Sequence, residues 1–309
     1  MINKFPATLQ PLIQQGFLDR EFQQAVRSKF GYRSCADRIP VTAKICQAIT
    51  GTRPGLTDGT TENWSAVINH YAPIIDLEMV TSRIGIASQF LQNAYVNGEQ
   101  SGRALNELAR NALFGFYGLD PSRPRCVENA SDLTATDTLT MAILLDGVAN
   151  LRARGVPEID GAYNCFLDPF SSRQLFADPD FRAFFTGARS ANQIIRAGMV
   201  NDILGLRFVP MPEHDVRTHP TSPDLVTRRL IVCGRGALVE ADLEGLDAED
   251  TRPADALVSV IDGIAMVTRE PIDRLQQIIA QSWYWIGGFG VPVDTEAGPQ
   301  RAVVIEHVG

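Results

Sequence analysis

The chain has 309 residues, of which 45% are apolar and 21% are charged, values that are ordinary for a protein that buries a core. The formal net charge is -8 and the sequence holds no basic tract, which excludes phosphate neutralisation on nucleic acid as its main function. The five cysteines form no CxxC pair, which argues against a zinc ribbon, and no apolar run reaches the ~20 residues that span a bilayer. The first ten residues contain no apolar signal core, so we expect a cytoplasmic protein with reduced thiols.

Residues 1–30 are predicted to form a peripheral arm. Two prolines and Gly16 interrupt any long helix there, and a short helix is expected over 19–29. An arm of this size has too little surface to form its own core. It is therefore expected to lie on another part of the protein.

Residues 31–72 are predicted to form a long polar hairpin. The pattern gives a first strand over 38–49, a tip rich in Gly, Pro, Asp and Thr over 50–60, and a return strand over 64–72. Because an isolated hairpin is marginal in water, this one should rest on a neighbour.

Residues 74–118 contain no proline and are predicted to form one long helix. Apolar or small residues recur along them at spacings of three and four, which is the stripe of a helix that packs on one face. Gly98 and Gly102 lie on that stripe. They indicate either the close approach of another backbone or a bend in the helix.

The middle of the chain alternates short helices and strands. After a linker over 121–135, a helix is predicted over 137–154, then a buried strand over 163–167. Asp168 should cap the short helix that follows Pro169, with another helix starting after Asp178.

The second half of the sequence is predicted to be rich in strands. Two short strands are expected within 198–210 and two more over 229–232 and 237–239; 211–228 should be a polar loop and 241–255 an acidic loop. A single strand is expected over 259–267. Another over 277–293 should contain a bulge at its Gly-Gly pair, and 301–308 should pair back onto it across the turn 294–300.

This order of elements resembles the HK97-type major capsid protein of tailed bacteriophages, with podophage coat proteins as the nearest relatives. Three segments carry the resemblance: YNCFLDPF at 163–170 followed by Leu175, the stretch IIRAG leading to ILGLRFVP at 203–210, and the closing strands that begin at Trp283. In the second of these, Leu206 stands where the family has Phe.

The resemblance implies an α+β HK97-type capsid fold with N-arm, extended β-hairpin (E-loop), long spine helix (P-domain) and mixed α/β A-domain. Its parts would be the N-terminal arm at 1–30, the E-loop at 31–72, the P-domain with the spine helix at 73–135, the A-domain at 136–254 and the closing P-domain strands at 255–309. The structural core would include Leu91, Gly98, Gly102, Leu105, Phe166, Asp168, Pro169, Gly198, Gly205, Trp283 and Trp285.

The function implied is self-assembly, as hexamers and pentamers, into an icosahedral shell around double-stranded DNA, without catalysis, metal or cofactor. The implied partners are other copies of the chain, a separate scaffolding protein, a portal protein and a decoration or cement protein, with assembly in the host cytoplasm. Neighbouring subunits would be contacted through five E-loop residues, Arg33, Arg38, Lys44, Arg53 and Leu56. Since Lys44 is the one lysine of the hairpin, lysine–asparagine cross-linking is not expected.

Three alternatives remain at this stage. An encapsulin-like compartment would share the fold, and a minor decoration protein would share the particle. A metal-dependent hydrolase would use the loop at 213–219, where Glu213, His214, Asp215 and His219 are the possible ligands. Their spacing matches no known motif, and the sequence has no GxSxG, P-loop or HExxH segment.

Overall fold

The computed structural model describes residues 10, 13, 16–56, 59–78, 86–117, 133–188, 195–196, 199–200, 202–212, 215–218, 222–244, 256–269, 278–295 and 298–309. Its helices are α1 (Phe17–Ser28), α2 (Ile86–Tyr117), α3 (Met141–Ala153), α4 (Pro169–Ala177) and α5 (Pro179–Ala188). Its strands in the first half are β1 (Ala36–Val41), β2 (Ala48–Pro54), β3 (Thr61–Val67), β4 (Asn69–Tyr71), β5 (Ile74–Glu78) and β6 (Tyr163–Leu167).

The remaining strands follow α5 and are mostly paired antiparallel. They are β7 (Ile195–Arg196), β8 (Met199–Val200), β9 (Asp202–Ile203), β10 (Leu206–Pro210), β11 (Asp215–Thr218), β12 (Val226–Cys233), β13 (Leu238–Leu243), β14 (Ala256–Ile261), β15 (Ile264–Arg269), β16 (Ile278–Gly290), β17 (Val293–Asp294) and β18 (Ala302–Val308). No helix among the described residues has both the length and the apolar character that crossing a bilayer requires.

Two large sheets organise the molecule. The first has the order β1-β13-β16-β15-β14, with β4 and β5 also paired to β16, and the second has the order β11-β12-β6-β10-β9, with β18 paired to β12. A small third sheet, β17-β3-β2, contains the hairpin. The helix α2 packs against the first sheet, and α3 packs against β18 of the second.

The hairpin is shorter than the sequence predicts. Residues 38–49 do not form one strand, because β1 ends at Val41 and pairs in parallel with β13 of the first sheet. The hairpin consists of β2 and β3, so the first part of the predicted tip, 50–54, is strand. The alternation that suggested one strand runs into an exposed turn, where Cys46 has a φ of 63°.

The long helix is real, but its predicted start is wrong. Residues 74–78 form strand β5, which pairs antiparallel with β16, and α2 is described from Ile86. Pairing with a long central strand decides the conformation of such a short apolar run, and periodicity within the segment cannot reveal that partner. On α2, Leu105 is buried and Leu91 is half-buried against the same apolar cluster.

Gly98 and Gly102 allow the close approach of α1. A Cβ atom on Gly98 would lie 2.7 Å from the Phe22 carbonyl oxygen, and one on Gly102 would lie 2.9 Å from that of Val26. Of the two readings left open by the sequence, backbone contact is therefore the one observed. The predicted arm helix lies on the long helix of its own chain.

Of the helices in the middle region, α4 begins at its predicted cap and α3 begins later than predicted. The Asp168 carboxylate accepts hydrogen bonds from the backbone N–H groups of Phe170 and Ser171, which caps α4 as predicted. The helix α3 starts at Met141, later than predicted, and it ends before Gly155, whose φ is 72°.

Three predictions for the second half are wrong. The segment 259–267 is the hairpin β14–β15 and not one strand, because Asp262 and Gly263 both have positive φ and form its two-residue turn. Part of the predicted loop 211–228 is strand β11, which pairs with β12. The closing strand β18 pairs with β12 in the second sheet and not with β16.

Gly287 and Gly288 form no bulge. They pair with β13 in continuous register, and the backbone of β3 lies directly over this part of β16. A Cβ atom on Gly288 would collide with the carbonyl oxygen of Val67. These glycines therefore let the hairpin pack on the first sheet.

Candidate functional site

The loop end of the hairpin is held by an ion-pair network, formed by Asp37, Arg53, Glu62 and Arg301. The Glu62 carboxylate accepts hydrogen bonds from Arg53 Nε at 2.7 Å and from Arg301 Nε at 2.8 Å, and its side chain is 1% exposed. Arg53 also donates to the carboxylate of Asp37 at 3.0 Å and to the carbonyl oxygen of Gly236. We call this set the hairpin network.

The hairpin network joins the third sheet to the two large sheets. Glu62 and Arg53 belong to the hairpin, Asp37 to β1 of the first sheet, and Arg301 directly precedes β18 of the second sheet. Removing one partner of a buried ion pair leaves an uncompensated charge, which typically costs about 3–5 kcal/mol. The network therefore fastens the loop end of the hairpin to the two large sheets.

A second buried pair lies beside it in the first sheet. Arg33 donates from Nε to Glu240 Oε2 at 2.7 Å and from Nη2 to Glu240 Oε1, so the pair is bidentate. Arg33 Nη2 also donates to the carbonyl oxygen of Asp262, at the β14–β15 turn, at 2.9 Å. Arg38 approaches Glu240 more loosely, at 3.6 Å.

The acidic members of these networks were missed by sequence reasoning, although one signal was available. Along β3 the buried side chains are Glu62, Trp64 and Ala66, so the acid occupies the inward face of an alternating strand. A carboxylate on an apolar face requires a buried cationic partner. Nothing in the residue pattern indicates that this partner is Arg301.

The five predicted contact residues lie in different environments. The guanidinium groups of Arg33 and Arg53 are used inside the chain, and Leu56 packs against the apolar cluster around α3 and β6. Arg38 keeps 41% of its side chain exposed, and Lys44 is exposed. Their contact with a neighbouring subunit stays a prediction, and Arg38 and Lys44 are the residues whose charged groups face solvent.

The residues expected in the core mostly lie there. Trp283 and Trp285 are buried on the face of β16 that packs against α2, and Phe166 is buried with its ring centroid 4.6 Å from that of Tyr32. Gly205 has a φ of 87° in the β9–β10 turn. Gly198 lies outside the described residues.

A second polar cluster surrounds the cap of α4. Ser171 Oγ donates to Asp168 Oδ1 and lies 2.7 Å from His307 Nε2, and Arg228 Nη1 lies 3.0 Å from Asp168 Oδ2. Arg228 also covers the ring of Phe170, with 4.1 Å from its Cζ to the ring centroid. The cluster ties the start of α4 to β12 and β18.

This serine–histidine–aspartate set does not have the arrangement of a hydrolase. The serine stands between the aspartate and the histidine, whereas catalysis needs the histidine in the middle. The single hydroxyl proton of Ser171 goes to Asp168, so His307 donates from Nε2 and cannot act as the base for that serine. Ser171 and His307 are both fully buried, and burial lowers the pKa of His307.

The residues proposed for a hydrolase loop can be placed only in part. Glu213, His214 and His219 lie outside the described residues, and Asp215 begins β11. Among the described residues, no group of three His, Cys, Asp or Glu side chains is arranged to hold a metal ion.

The buried thiols are held in their protonated form. Burial raises the pKa of Cys165 to about 12 and raises the pKa of Cys233 as well, since both side chains are fully buried on strands of the second sheet. Thiols in this environment behave as small apolar side chains.

At the level of sequence, no family model and no curated protein matches this chain. Solved structures do match. The chain in the capsid of Ralstonia phage GP4 has a TM-score of 0.62 and 13% identity, over 89% of this chain and 87% of that one. A chain of the cyanophage Pam1 capsid has a TM-score of 0.55 and 13% identity, over 86% and 85%.

A third likeness has the same extent. The acid-stable capsid structure of Helicobacter pylori bacteriophage KHP30 matches with a TM-score of 0.52 and 10% identity, over 90% of this chain and 89% of that one. These matches confirm the predicted fold class, since nearly the whole of each chain is superposed. The chain has the HK97-type α+β fold of these capsid subunits.

Proposed function

We propose that this chain is a major capsid protein, which self-assembles as hexamers and pentamers into the icosahedral shell that encloses the double-stranded DNA of a tailed phage. The observation that carries the proposal is the likeness to three phage capsid subunits over 85% or more of both chains. A likeness of this extent cannot come from a single sheet alone.

The surface of the subunit is consistent with repeated contacts between copies. Large apolar side chains are exposed at three places. Ile45 in the turn between β1 and β2 is 49% exposed, Val67 at the end of β3 is 51% exposed, and Ile74 at the start of β5 is 70% exposed. Only three of the 28 basic residues are lysine, and arginine is the better residue for bidentate pairs at interfaces.

We also propose the division of the chain that the family resemblance implies: arm 1–30, E-loop 31–72, spine-helix region 73–135, A-domain 136–254 and closing strands 255–309. Within it, the arm helix α1 and the hairpin are both fixed to their own subunit, through Gly98 and Gly102 and through the hairpin network. Adaptation between hexamer and pentamer positions would then fall to the exposed turn at 42–47.

The proposed partners are those of a shell protein. They are other copies of the chain, a separate scaffolding protein, a portal protein and a decoration or cement protein. The proposed location is the capsid of the virion, with assembly in the cytoplasm of a bacterial host.

The test is expression of the full chain in bacteria, alone and with the genes that neighbour it, followed by sedimentation and negative-stain microscopy. We expect closed shells of uniform diameter in the coexpression. A chain that stays monomeric or dimeric in both cultures, while its thermal unfolding shows it to be folded, would overturn the proposal.

A further inference from the structure

A set of buried polar side chains lies between α2 and the first sheet. Asn97 on α2 and Gln281 on β16 are fully buried, Thr268 on β15 is 1% exposed, and Trp283 is 3% exposed. Around them are the apolar side chains of one core cluster, which joins Phe90 and Ala94 to the strands. Polar groups in such a layer require hydrogen-bond partners.

The strand register brings two of these side chains together. Thr268 lies directly opposite Gln281 in the antiparallel pair of β15 and β16. Gln281 and Trp283 share one face of β16, since the buried positions of this strand alternate. Directly opposite residues of such a pair have their Cβ atoms about 5 Å apart.

The helix α2 contributes Asn97 to this layer. Along α2 the buried residues Ala94, Asn97, Ser101 and Leu105 follow each other at spacings of three and four, which places them on one face. Ala94 and Leu105 pack in the same cluster as Trp283. Asn97 lies between them on the helix and therefore faces the same layer.

The polar atoms of this layer are unpaired within the protein. Both carboxamide atoms of Asn97, both of Gln281, the hydroxyl of Thr268 and the indole nitrogen of Trp283 have no hydrogen-bond partner, a statement made of these described side chains alone. By contrast, Ser101 donates to the carbonyl oxygen of Gly98 at 2.9 Å.

We infer that ordered water binds between α2 and β15–β16, held by the carboxamides of Asn97 and Gln281 and by the hydroxyl of Thr268. Water is the ligand class that fits, because it is small enough for a closed layer and can donate and accept at once. A buried water makes about three hydrogen bonds, and the layer offers three such side chains. The site is independent of the proposed shell function, since it lies inside the subunit.

The first test is a structure of the full-length protein, from crystals or from assembled particles, at a resolution that shows ordered water. We expect a water within hydrogen-bond distance of both carboxamides. Direct bonding of the Asn97 or Gln281 side chain to Thr268 or to each other, with no water between them, would overturn the inference.

The second test is Gln281→Met, which keeps the length of the side chain and removes its polar atoms. If water completes the hydrogen bonds, the variant loses them, and its melting temperature should fall by about 1–2 °C for each bond lost at this chain size. If the layer is dry, removing an unpaired carboxamide should instead raise the melting temperature, and the inference fails. Gln174→Met calibrates the loss, because Gln174 donates to the carbonyl oxygen of Val308 at 2.7 Å and accepts from the N–H of Leu139.

Discussion

Buried charges in this subunit act as positioning residues for the hairpin. Glu62 is the centre of the hairpin network, because its two oxygens bind one arginine from the hairpin and one from the start of β18. Neither arginine can lose its charge at physiological pH, so both depend on carboxylates: Arg301 on Glu62, and Arg53 on Glu62 and the half-exposed Asp37.

The substitution Glu62→Gln should lower the free energy of unfolding by about 3–5 kcal/mol, because it removes the carboxylate that pairs with the buried Arg301 and leaves Arg53 with Asp37 alone. Chemical denaturation of the purified subunit measures this loss. The matched control is Glu107→Gln, whose carboxylate is 55% exposed and lies 3.4 Å from Arg110, so that pair is worth only about 0–1 kcal/mol. Equal losses in the two variants would show that the network does not stabilise the fold.

Because of the buried His307, we expect the free energy of unfolding to fall in mild acid. Burial lowers its pKa; the carbonyl oxygen of Val308 and the charge of Asp168 oppose this shift, and Arg228 adds to it. The folded chain therefore stays neutral at His307 at pH values where the unfolded chain, with a pKa near ~6.5, binds a proton. Stability is complete above about pH 6.5 and falls as the pH drops from there toward the folded pKa, by at most ~1.4 kcal/mol per pH unit.

The measurement is denaturant unfolding at a series of pH values between neutral and mildly acidic. His307→Gln should flatten the decline, because glutamine does not titrate, whereas His70→Gln at an exposed position should leave the decline unchanged. Identical pH slopes in wild type and His307→Gln would contradict the assignment.

At the scale of elements, the contact between α1 and α2 depends on two missing side chains. The sequence predicted that Gly98 and Gly102 lie on the packing stripe, and the backbone of α1 packs against these two glycines. It left open whether the helix bends or touches another backbone. Only the position of α1 decides between these, and α1 is separated from Gly98 by the hairpin and three further strands.

Gly98→Ala should destabilise the subunit, because the new Cβ atom would lie 2.7 Å from the carbonyl oxygen of Phe22. Overpacking of this kind costs about 1–3 kcal/mol, which outweighs the gain of up to ~1 kcal/mol in helix propensity. Gly115→Ala on the same helix is the control, since nothing lies within 4 Å of its Cβ position, and it should raise the melting temperature. A stabilised Gly98→Ala variant would show that α1 does not pack closely here.

The misread strand at 259–267 shows how local chemistry can be overlooked. Asp-Gly between two apolar runs is a strong hairpin signal, because both turn residues must take positive φ. Asp262 and Gly263 have φ values of 53° and 81°. The carbonyl oxygen of this turn then accepts from Arg33, so the turn also closes the second buried pair.

At the scale of the whole molecule, the assembly that we propose must bring together subunits that each carry a net charge of -8. Cations at the surface can offset this repulsion where copies meet, and salt screens the interaction over ~8–10 Å. Lys44 is suited to this role because it is exposed beside the apolar side chain of Ile45.

Lys44→Glu should leave the melting temperature of the subunit unchanged and lower the yield of shells, with partial rescue at moderate salt. Sedimentation of the coexpressed protein measures the yield, and Lys44→Arg, which keeps the charge, is the control. Full yield from Lys44→Glu would remove the electrostatic role of this turn. Arg53→Glu is not a clean test of assembly, because Arg53 is bound to Glu62 and Asp37 inside the subunit.

The sequence by itself determined those features that depend on neighbours in the chain. The proline-free stripe around Leu105 gave the long helix, Asp168 before Pro169 gave a cap, and Gly155 ended α3. Each follows from hydrogen bonds and side-chain spacing within a few residues. The order of such elements was also enough to suggest the fold class.

Only the tertiary structure decided which strands pair and which charges meet. The strand β1 pairs with β13, some 200 residues away, and β18 pairs with β12 and not with β16. Glu62 binds Arg301 across 239 positions. Strand pairing satisfies backbone groups that any extended segment offers, so a strand carries little information about its partner. Contacts between distant residues depend on how the sheets pack against each other, and that packing cannot be predicted from the spacing of residues along the chain.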